Sequence, residues 1–312
     1  MVINGLRSAL RKAGTASCSP AEDLMSFGAV HLKITDMKLS LDFWNRIIGL
    51  DILSSFPDRI VLGTSIRPLV VLYPIAKHVF QDGFSGLYHF ALHAPDISSF
   101  ASIIARLQDH QYPFSPVDHT MSKSIYLRDP DGIQVEIALE TPERFKSVLT
   151  TGGLFIEDSD GTVRAAASPL DMQEILDALP VDAASRIVSD ELKVGHIHFY
   201  SSDVNKSNSF YRQLGFLQFN YLPDFLYADL GAGGVYQHRI ANNAWHGLHR
   251  PLAPVLNAGL LKYEIIFASK YLRDKAVTNI SKEINEDGYW SAMDPSGNKV
   301  ILLYADERYG ES

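Results

Sequence analysis

The sequence predicts an α+β fold built from four modules, each a strand followed by a helix and three more strands. Two observations lead to this prediction. An alternating apolar strand that ends in Asp, then a helical pattern closed by Gly, occurs at residues 30–49 and returns at residues 196–215. Two other stretches end in a turn signal between apolar runs, Asp-Pro-Asp-Gly at 129–132 and Asp-Pro-Ser-Gly at 294–297. Such repetition indicates one supersecondary unit used several times.

The first module begins near Gly28. Alternation of apolar and polar residues predicts a strand at residues 30–36, and apolar residues at helical spacing, among them Phe43 and Ile47, predict the helix that follows. Gly49 closes that helix, because glycine is common just past a helix C-terminus.

The other three modules begin near Leu87, Val194 and Leu261. Between the second and the third lies a different stretch, residues 141–192, with an Asp/Gly turn at 158–161 and a helical segment at 170–179. This stretch is predicted to be an ordered crossover between two halves of the chain.

The composition is that of an ordinary soluble protein of two-domain size. The chain has 312 residues, of which 46% are hydrophobic and 21% charged, and its net charge is −8. This charge argues against a nucleic-acid-binding protein, and no apolar run is long enough to span a membrane. The single cysteine, Cys18, cannot form a disulfide within the chain, so a cytoplasmic protein is expected.

The predicted organisation has four parts. They are an N-terminal arm at 1–26, a first domain at 27–146 with modules one and two, a linker at 147–192, and a second domain at 193–306 with modules three and four.

Four motifs in the repeat resemble those of the vicinal oxygen chelate superfamily, which holds glyoxalase I, bleomycin-resistance proteins and extradiol catechol dioxygenases. They are Gly-Leu-Tyr-His-Phe-Ala-Leu at 86–92, Tyr-Leu-Arg-Asp-Pro-Asp-Gly at 126–132, Val-Gly-His-Ile-His at 194–198 and Gly-Gly-Val-Tyr-Gln-His at 233–238. After residue 26 the chain looks most like the two-domain, CatE-type catechol dioxygenases of bacteria. The resemblance implies two curved mixed sheets, each closed by two modules around one metal, with ligands on a module's first and last strands.

The first-strand ligand can be sought by counting seven residues back from the Asp that follows the strand. This count reaches His89 in module two and His196 in module three. In module one it reaches Ala29, which cannot bind a metal, and the aligned residue in module four is Tyr263.

The last-strand ligand is expected four residues after the turn glycine. That position is Glu136 in module two and Ile301 in module four. Only the pairing of modules two and three unites His89, Glu136 and His196, the two-histidine, one-carboxylate set of non-haem Fe(II) oxygenases. A metal would also remove the cost of burying Glu136 within an apolar run. We therefore predict that modules two and three share the metal cavity and that modules one and four close a metal-free one.

The resemblance also implies the residues that handle protons. Relatives carry a tyrosine ten residues before the glutamate and a histidine further upstream, here Tyr126 and His119. They carry an acid/base histidine on the partner module's last strand, here His238 on a strand at 236–240. The implied reaction is cleavage of a catechol ring by O2 at Fe(II), with Mn, Zn or Ni as alternative metals. The expected partners are a small aromatic substrate and O2, and a homodimer is left open.

Some positions depart from the relatives' pattern. Gln237 and Arg239 flank His238 where relatives show three successive histidines, and an arginine cannot act as a base at neutral pH. Lys123 would alter the charge of the pocket. Two alternatives are therefore kept: a glyoxalase-like lyase or isomerase, which would use a second glutamate that the equivalent positions lack, and a metal-free, bleomycin-resistance-like binding protein, which would lack the triad.

Three other strand histidines, His31, His93 and His198, are interpreted as hydrogen-bonded core or edge residues rather than as ligands. Their even spacing from the ligand positions predicts that they face the same side of their strands.

Overall fold

The computed structural model describes residues 22–182, 188–285 and 287–309. It contains two eight-stranded mixed sheets and one three-stranded sheet, with helices on their flanks, so the predicted α+β class is confirmed. Most of the expected N-terminal arm, residues 1–21, lies outside the described residues. In the described part of the chain, no helix has the length and apolar character needed to cross a membrane.

Each module contains one helix and four strands, as predicted. Module one contains β1 (Met25–Lys33), α1 (Met37–Leu41, continued by a π-helical segment at Asp42–Ile48), β2 (Asp51–Ser55), β3 (Ile60–Thr64) and β4 (Arg67–Tyr73). Module two contains β5 (Gly86–Ala94), α2 (Ile97–Asp109), β6 (Ser115–Asp118), β7 (Ser122–Arg128) and β8 (Gln134–Glu140). The stretch between modules two and three contains β9 (Phe145–Leu149), β10 (Phe155–Asp158), β11 (Val163–Ala165) and α3 (Met172–Asp177). Module three contains β12 (Lys193–Tyr200), α4 (Val204–Gln213), β13 (Leu217–Leu222), β14 (Tyr227–Gly231) and β15 (Ile240–Asn243). Module four contains β16 (Gly259–Phe267), α5 (Lys270–Val277), β17 (Glu283–Ile284), β18 (Trp290–Met293) and β19 (Lys299–Tyr304).

Each eight-stranded sheet joins two modules through their first strands. The strand order is β17-β18-β19-β16-β1-β4-β3-β2 in one, which we call the 1/4 sheet, and β13-β14-β15-β12-β5-β8-β7-β6 in the other, the 2/3 sheet. The predicted pairing of modules two and three, and of one and four, is therefore confirmed. The two predicted domains, residues 27–146 and 193–306, each contribute one module to each sheet. They remain a proposed division of the chain along its sequence.

In three modules the Asp that follows the first strand caps the next helix. The side chains of Asp36, Asp96 and Asp203 accept a hydrogen bond from the backbone N–H three residues on, and Ser269 does the same in module four. Such a cap stabilises a helix by about 1 kcal/mol relative to alanine. The recurrence of this residue in the sequence therefore has a local structural cause.

A glycine eight residues before the cap lies at a β-bulge in each central strand pair. The register shifts at Gly28 between β1 and β16, and at Gly195 between β12 and β5. A Cβ on Gly28 would lie 2.2 Å from the Glu264 carboxylate, and one on Gly195 would lie 1.9 Å from the His93 ring. Glycine is thus required at both bulges because a side chain of the neighbouring strand occupies the space.

The register corrects one alignment made from the sequence. In the 2/3 sheet His89 pairs with His198, and in the 1/4 sheet Lys262 pairs with His31, which is the equivalent of His198. The residue of module four that corresponds to His89 is therefore Lys262, not Tyr263. The cap of that module is Ser269, and seven residues before it is position 262. Tyr263 is fully buried in the core.

The described parts of the stretch between the two halves, residues 141–182 and 188–192, contain regular elements, as predicted, but the sequence did not predict their sheet. Strands β9, β10 and β11 form a three-stranded antiparallel sheet, which we call the insert sheet. The segment that follows this sheet is joined to the end of β6 by two backbone hydrogen bonds between Asp118 and Ser168, of 2.8 and 2.9 Å. The turn predicted at 158–161 follows β10, and α3 is shorter than the helical segment predicted there.

Candidate metal centre

A cavity of about 510 Å³ lies against the 2/3 sheet. Its walls come from both modules of that sheet and from the insert sheet. All six residues predicted as ligands or as proton-handling groups line it: His89, His119, Tyr126, Glu136, His196 and His238.

Three of these residues bring their polar atoms together. Glu136 Oε2 lies 3.0 Å from His89 Nε2 and 3.1 Å from His196 Nε2, and the two imidazole nitrogens are 3.3 Å apart. The three side chains are almost inaccessible, with 1–3% of each residue exposed. Two adjacent first strands, β5 and β12, supply the histidines, and β8, which pairs with β5, supplies the carboxylate.

The protonation states of this cluster suit a metal. Burial holds the pKa of His89 below its usual value and that of His196 well below it, so both rings are neutral at pH 7. Burial alone would raise the pKa of Glu136, but its interactions with His196 and His89 outweigh that effect and hold the pKa well below its usual range. Two neutral imidazoles and one ionised carboxylate are the forms in which these side chains bind metal ions.

Two polar atoms of this cluster, Glu136 Oε2 and His89 Nδ1, are buried without a hydrogen-bond partner among the described residues. Glu136 Oε2 has no hydrogen-bond partner of acceptable geometry among the described residues, despite its two close nitrogen neighbours. A divalent ion among the three atoms would satisfy all of them, because the ligand atoms of His89, Glu136 and His196 all lie within 4.8 Å of one another. The residues present could therefore hold a divalent metal on one face, leaving its other positions open.

A chain of hydrogen bonds orients His196. Its Nδ1 donates to His93 Nε2 at 2.8 Å, and His93 Nδ1 donates to Glu140 Oε1 at 2.8 Å. Glu140 also accepts from Arg239 Nη1 at 2.6 Å, and Arg239 Nε donates to Asp23 at 2.8 Å. Because both imidazoles then carry their proton on Nδ1, His196 presents the lone pair of Nε2 to the cluster.

Arg239 therefore has a structural place behind the cluster and does not line the cavity. Burial would raise the pKa of Glu140, but hydrogen bonds from His93 and Arg239, together with the Arg239 charge, hold it well below its usual range. Lys123 likewise lies on the outer face of β7, paired with Glu174, so the expected effect of this lysine on the pocket is not found.

His238 lines the cavity, but the strand predicted at 236–240 is wrong. Strand β15 begins only at Ile240, because residues 232–239 form the connection from β14. His238 Nδ1 donates to Asp229 Oδ2 at 2.8 Å, and the Tyr227 hydroxyl donates to the same oxygen at 2.9 Å. This leaves Nε2 as the ring nitrogen that faces the cavity as a proton acceptor.

On the opposite wall, Tyr126 and His119 form a second hydrogen-bonded pair. His119 Nδ1 donates to the backbone carbonyl of Ala166 at 2.8 Å, so its Nε2 accepts from the Tyr126 hydroxyl at 2.9 Å. Burial, reinforced by the Glu136 carboxylate that faces Tyr126 across β7 and β8, raises the pKa of the tyrosine well above its usual value. Tyr126 is therefore a neutral hydroxyl beside the cluster.

The three histidines interpreted as core residues are buried and hydrogen-bonded, as predicted. His198 also lines the cavity and accepts from Asn243 Nδ2 at 2.9 Å. Asp229, the partner of His238, was missed from the sequence. Glu140 was also missed, although its spacing of four residues from Glu136 places both on the same face of β8.

The sequence resembles one family model and one bacterial dioxygenase. Residues 26–137 match the family model of the Glyoxalase/Bleomycin resistance protein/Dioxygenase superfamily. Over 246 residues the chain is 28% identical to catechol-2,3-dioxygenase of Bacillus subtilis (strain 168), an alignment that covers 77% of this chain and 81% of that protein.

Two solved structures share the fold. One is a candidate dioxygenase from Bacillus subtilis, with a TM-score of 0.56, 11% identity, and coverage of 91% of this chain and 86% of the other. The second is glyoxalase I from Zea mays, with a TM-score of 0.51, 14% identity, and coverage of 92% and 94%. At these identities the likeness shows the fold alone, which is the vicinal oxygen chelate fold predicted from the sequence motifs.

Proposed function

We propose that this chain, whose residues 26–137 match the family model of the Glyoxalase/Bleomycin resistance protein/Dioxygenase superfamily, is a metal-dependent dioxygenase of the extradiol type. The observation that carries the proposal is the convergence of His89, Glu136 and His196 on one point of a cavity that also holds two hydrogen-bonded groups for proton transfer. The 28% identity to a catechol-2,3-dioxygenase supports it.

In this proposal His89, Glu136 and His196 hold Fe(II), with Mn, Zn or Ni as alternatives. When bound, the metal would supply Lewis acidity toward the catechol oxygens and the redox chemistry that O2 requires. The net reaction converts one catechol and one O2 into one ring-opened product. The C–C bond beside the diol breaks, and both oxygen atoms enter the product.

His238 is the proposed base for the catechol hydroxyl. Its Nδ1 is fixed on Asp229, so the free Nε2 can take a proton, and the buried carboxylate stabilises the imidazolium that forms. Tyr126 and His119 hold the second oxygen of the diol or return a proton on the opposite wall. The raised pKa keeps Tyr126 a neutral hydroxyl, and its O–H would turn from His119 Nε2 to donate to a substrate oxygen.

The glyoxalase-like alternative is less well supported. A lyase of that type would use a second carboxylate on the partner module. Ala241 occupies that position. It pairs with His198 between β12 and β15, just as Glu136 pairs with the equivalent residue Ala91 between β5 and β8. A metal-free binding protein would leave the buried Glu136 Oε2 without a compensating partner, which is costly.

The test is oxygen consumption by protein loaded anaerobically with Fe(II) and then given catechol and O2. The expected result is uptake of one O2 per catechol, with both atoms of labelled oxygen in a ring-opened semialdehyde. Fe(II)-loaded protein that consumes no O2 with any catechol would contradict the proposal, and isomerisation of a hemithioacetal would favour the lyase.

A further inference from the structure

The cavity has two chemically different ends. The titratable residues named above lie against the 2/3 sheet. The end formed by the insert sheet and the segments beside it contributes only apolar side chains, which are Phe145, Val148, Leu154, Ile156, Ala166 and Ala167. Val148 and Ile156 are directly paired across β9 and β10, so they present one continuous apolar surface.

The cavity also lacks a counter-ion for a negatively charged substituent. None of the described residues that line it is Lys or Arg. Lys123 and Arg144, on neighbouring elements, are paired with Glu174 and Asp118.

The two acidic residues in the lining are already engaged. Glu136 belongs to the proposed metal cluster. Asp229 accepts from His238, from the Tyr227 hydroxyl and from the backbone N–H of Asn220 at 2.8–2.9 Å. A carboxylate on the substrate would therefore lose its hydration without gaining a cation.

We propose that the insert sheet selects the substrate, and that the substrate is an uncharged catechol whose ring carries an apolar alkyl or aryl group. This inference rests on the proposed function and adds the substrate class to it. The diol lies at the histidine end, and the apolar group packs on Val148 and Ile156. A cavity of about 510 Å³ leaves room for such a group beyond the catechol ring.

The test compares kcat/KM for five substrates: catechol, the 3- and 4-propylcatechols, and the 2,3- and 3,4-dihydroxyphenylacetates. The two substituents have similar length and differ in charge. We expect the better propyl isomer to exceed catechol by about tenfold, because apolar contacts of this size are worth that much. We expect the carboxylated isomers to fall about 100-fold below the propyl compounds, because an unpaired carboxylate is costly to bury.

Variants of the insert sheet test the residues directly. Ile156→Lys should reverse the preference toward 3,4-dihydroxyphenylacetate by supplying the missing cation. Val148→Lys, on the facing strand, provides a second variant should the first fail to fold. Val163→Lys is the matched control, because Val163 lies on the same sheet, is 54% exposed and does not line the cavity.

The outcomes separate the two proposals. Wild-type protein that cleaves none of the catechols overturns the proposed function. Cleavage of the carboxylated catechols as efficiently as the propyl compounds overturns the substrate inference and leaves the dioxygenase standing. The substrate inference is also overturned if both folded lysine variants keep the wild-type preference.

Discussion

The 1/4 and 2/3 sheets contain the same strand arrangement, and each buries a histidine beside a glutamate. In the 1/4 sheet, His31 Nε2 lies 2.9 Å from Glu264 Oε1, and the other carboxylate oxygen accepts from the Ala29 backbone at 2.9 Å. In the 2/3 sheet, Glu136 Oε2 lies between two imidazole nitrogens and makes no hydrogen bond within the described residues. A saturated pair needs nothing further, whereas the unsaturated cluster needs a ligand.

The difference arises at a few equivalent positions. Where the 2/3 sheet has His89 and His196, the 1/4 sheet has Lys262 and Ala29. The bulge glycines are kept in both sheets but make room for different side chains, Glu264 in one and His93 in the other. The same strand arrangement therefore occurs twice, but only the 2/3 sheet carries the ligand set within the described residues.

The largest effect is expected from His238→Gln, which removes the proposed base but leaves the metal cluster intact. We expect kcat to fall by about 10²–10⁴-fold, the usual contribution of a positioned acid or base, while iron content stays at the wild-type level. The measurement is O2 consumption together with metal analysis. The matched variant His31→Gln, in the other sheet, should keep its activity; an unchanged kcat in His238→Gln would remove this residue from the mechanism.

The next largest effect is expected on metal affinity, from substitution of the glycine at one bulge but not at the other. Gly195→Ala should displace His93 and so disturb the orientation of His196, lowering metal affinity by about 10–100-fold, as loss of a partner that orients a ligand usually does. Gly28→Ala creates a clash with Glu264 instead and should leave metal affinity unchanged. Anaerobic titration with Fe(II), alongside denaturant unfolding, separates the two consequences. Equal affinities in the two variants would mean that the chain through His93 does not position the ligand.

A smaller effect should confirm that the His31–Glu264 pair is structural. His31→Leu leaves the Glu264 carboxylate without its side-chain partner, and we expect the free energy of unfolding to drop by about 1–3 kcal/mol. Metal content should not change. Loss of iron in this variant would contradict the separation of the two sheets.

The smallest effect concerns pH and the two equivalent turns. Asp129 Oδ2 has no hydrogen-bond partner among the described residues, and burial raises the pKa of Asp129 to about 7. In the other turn Asp294 Oδ2 accepts from Asn298 and Tyr211, and burial raises the pKa of Asp294 as well. A carboxyl group whose pKa is higher in the folded state gives stability that is complete below its unfolded pKa, about 4, and is lost as the pH rises toward 7.

The asparagine of Asp129→Asn cannot ionise, so the free energy of unfolding of this variant should depend less on pH between about 4 and 7. The slope should be smaller than that of the wild type by at most about 1.4 kcal/mol per pH unit, the value for one proton. The measurement is denaturant unfolding at several pH values. Asp294→Asn, whose carboxylate has more hydrogen bonds, should flatten the profile less. An Asp129→Asn profile parallel to that of the wild type would show that Asp129 is ionised throughout this range.

Much of the fold could be predicted from the sequence, because each module repeats signals that act locally. Capping Asp residues, helix-closing glycines such as Gly49 and Gly215, and the turn at 129–132 all act within a few residues. The pairing of modules two and three also followed, because only that pairing unites His89, Glu136 and His196.

What could not be predicted depends on contacts between distant segments. The insert sheet has short strands, and its role in lining the cavity depends on how it docks on module two. Asp229 becomes the partner of His238 only because β14 lies beside the loop before β15. Lys262 was misaligned because a serine replaces the Asp that caps the other three helices.

Of the two similar sheets, we expect only the 2/3 sheet to hold a metal. The most direct test is iron content per chain after anaerobic loading and desalting, for the wild type, Glu136→Gln and Glu264→Gln. We predict one iron in the wild type, none in Glu136→Gln and one in Glu264→Gln. No iron in the wild type, or its loss in Glu264→Gln but not in Glu136→Gln, would contradict this assignment.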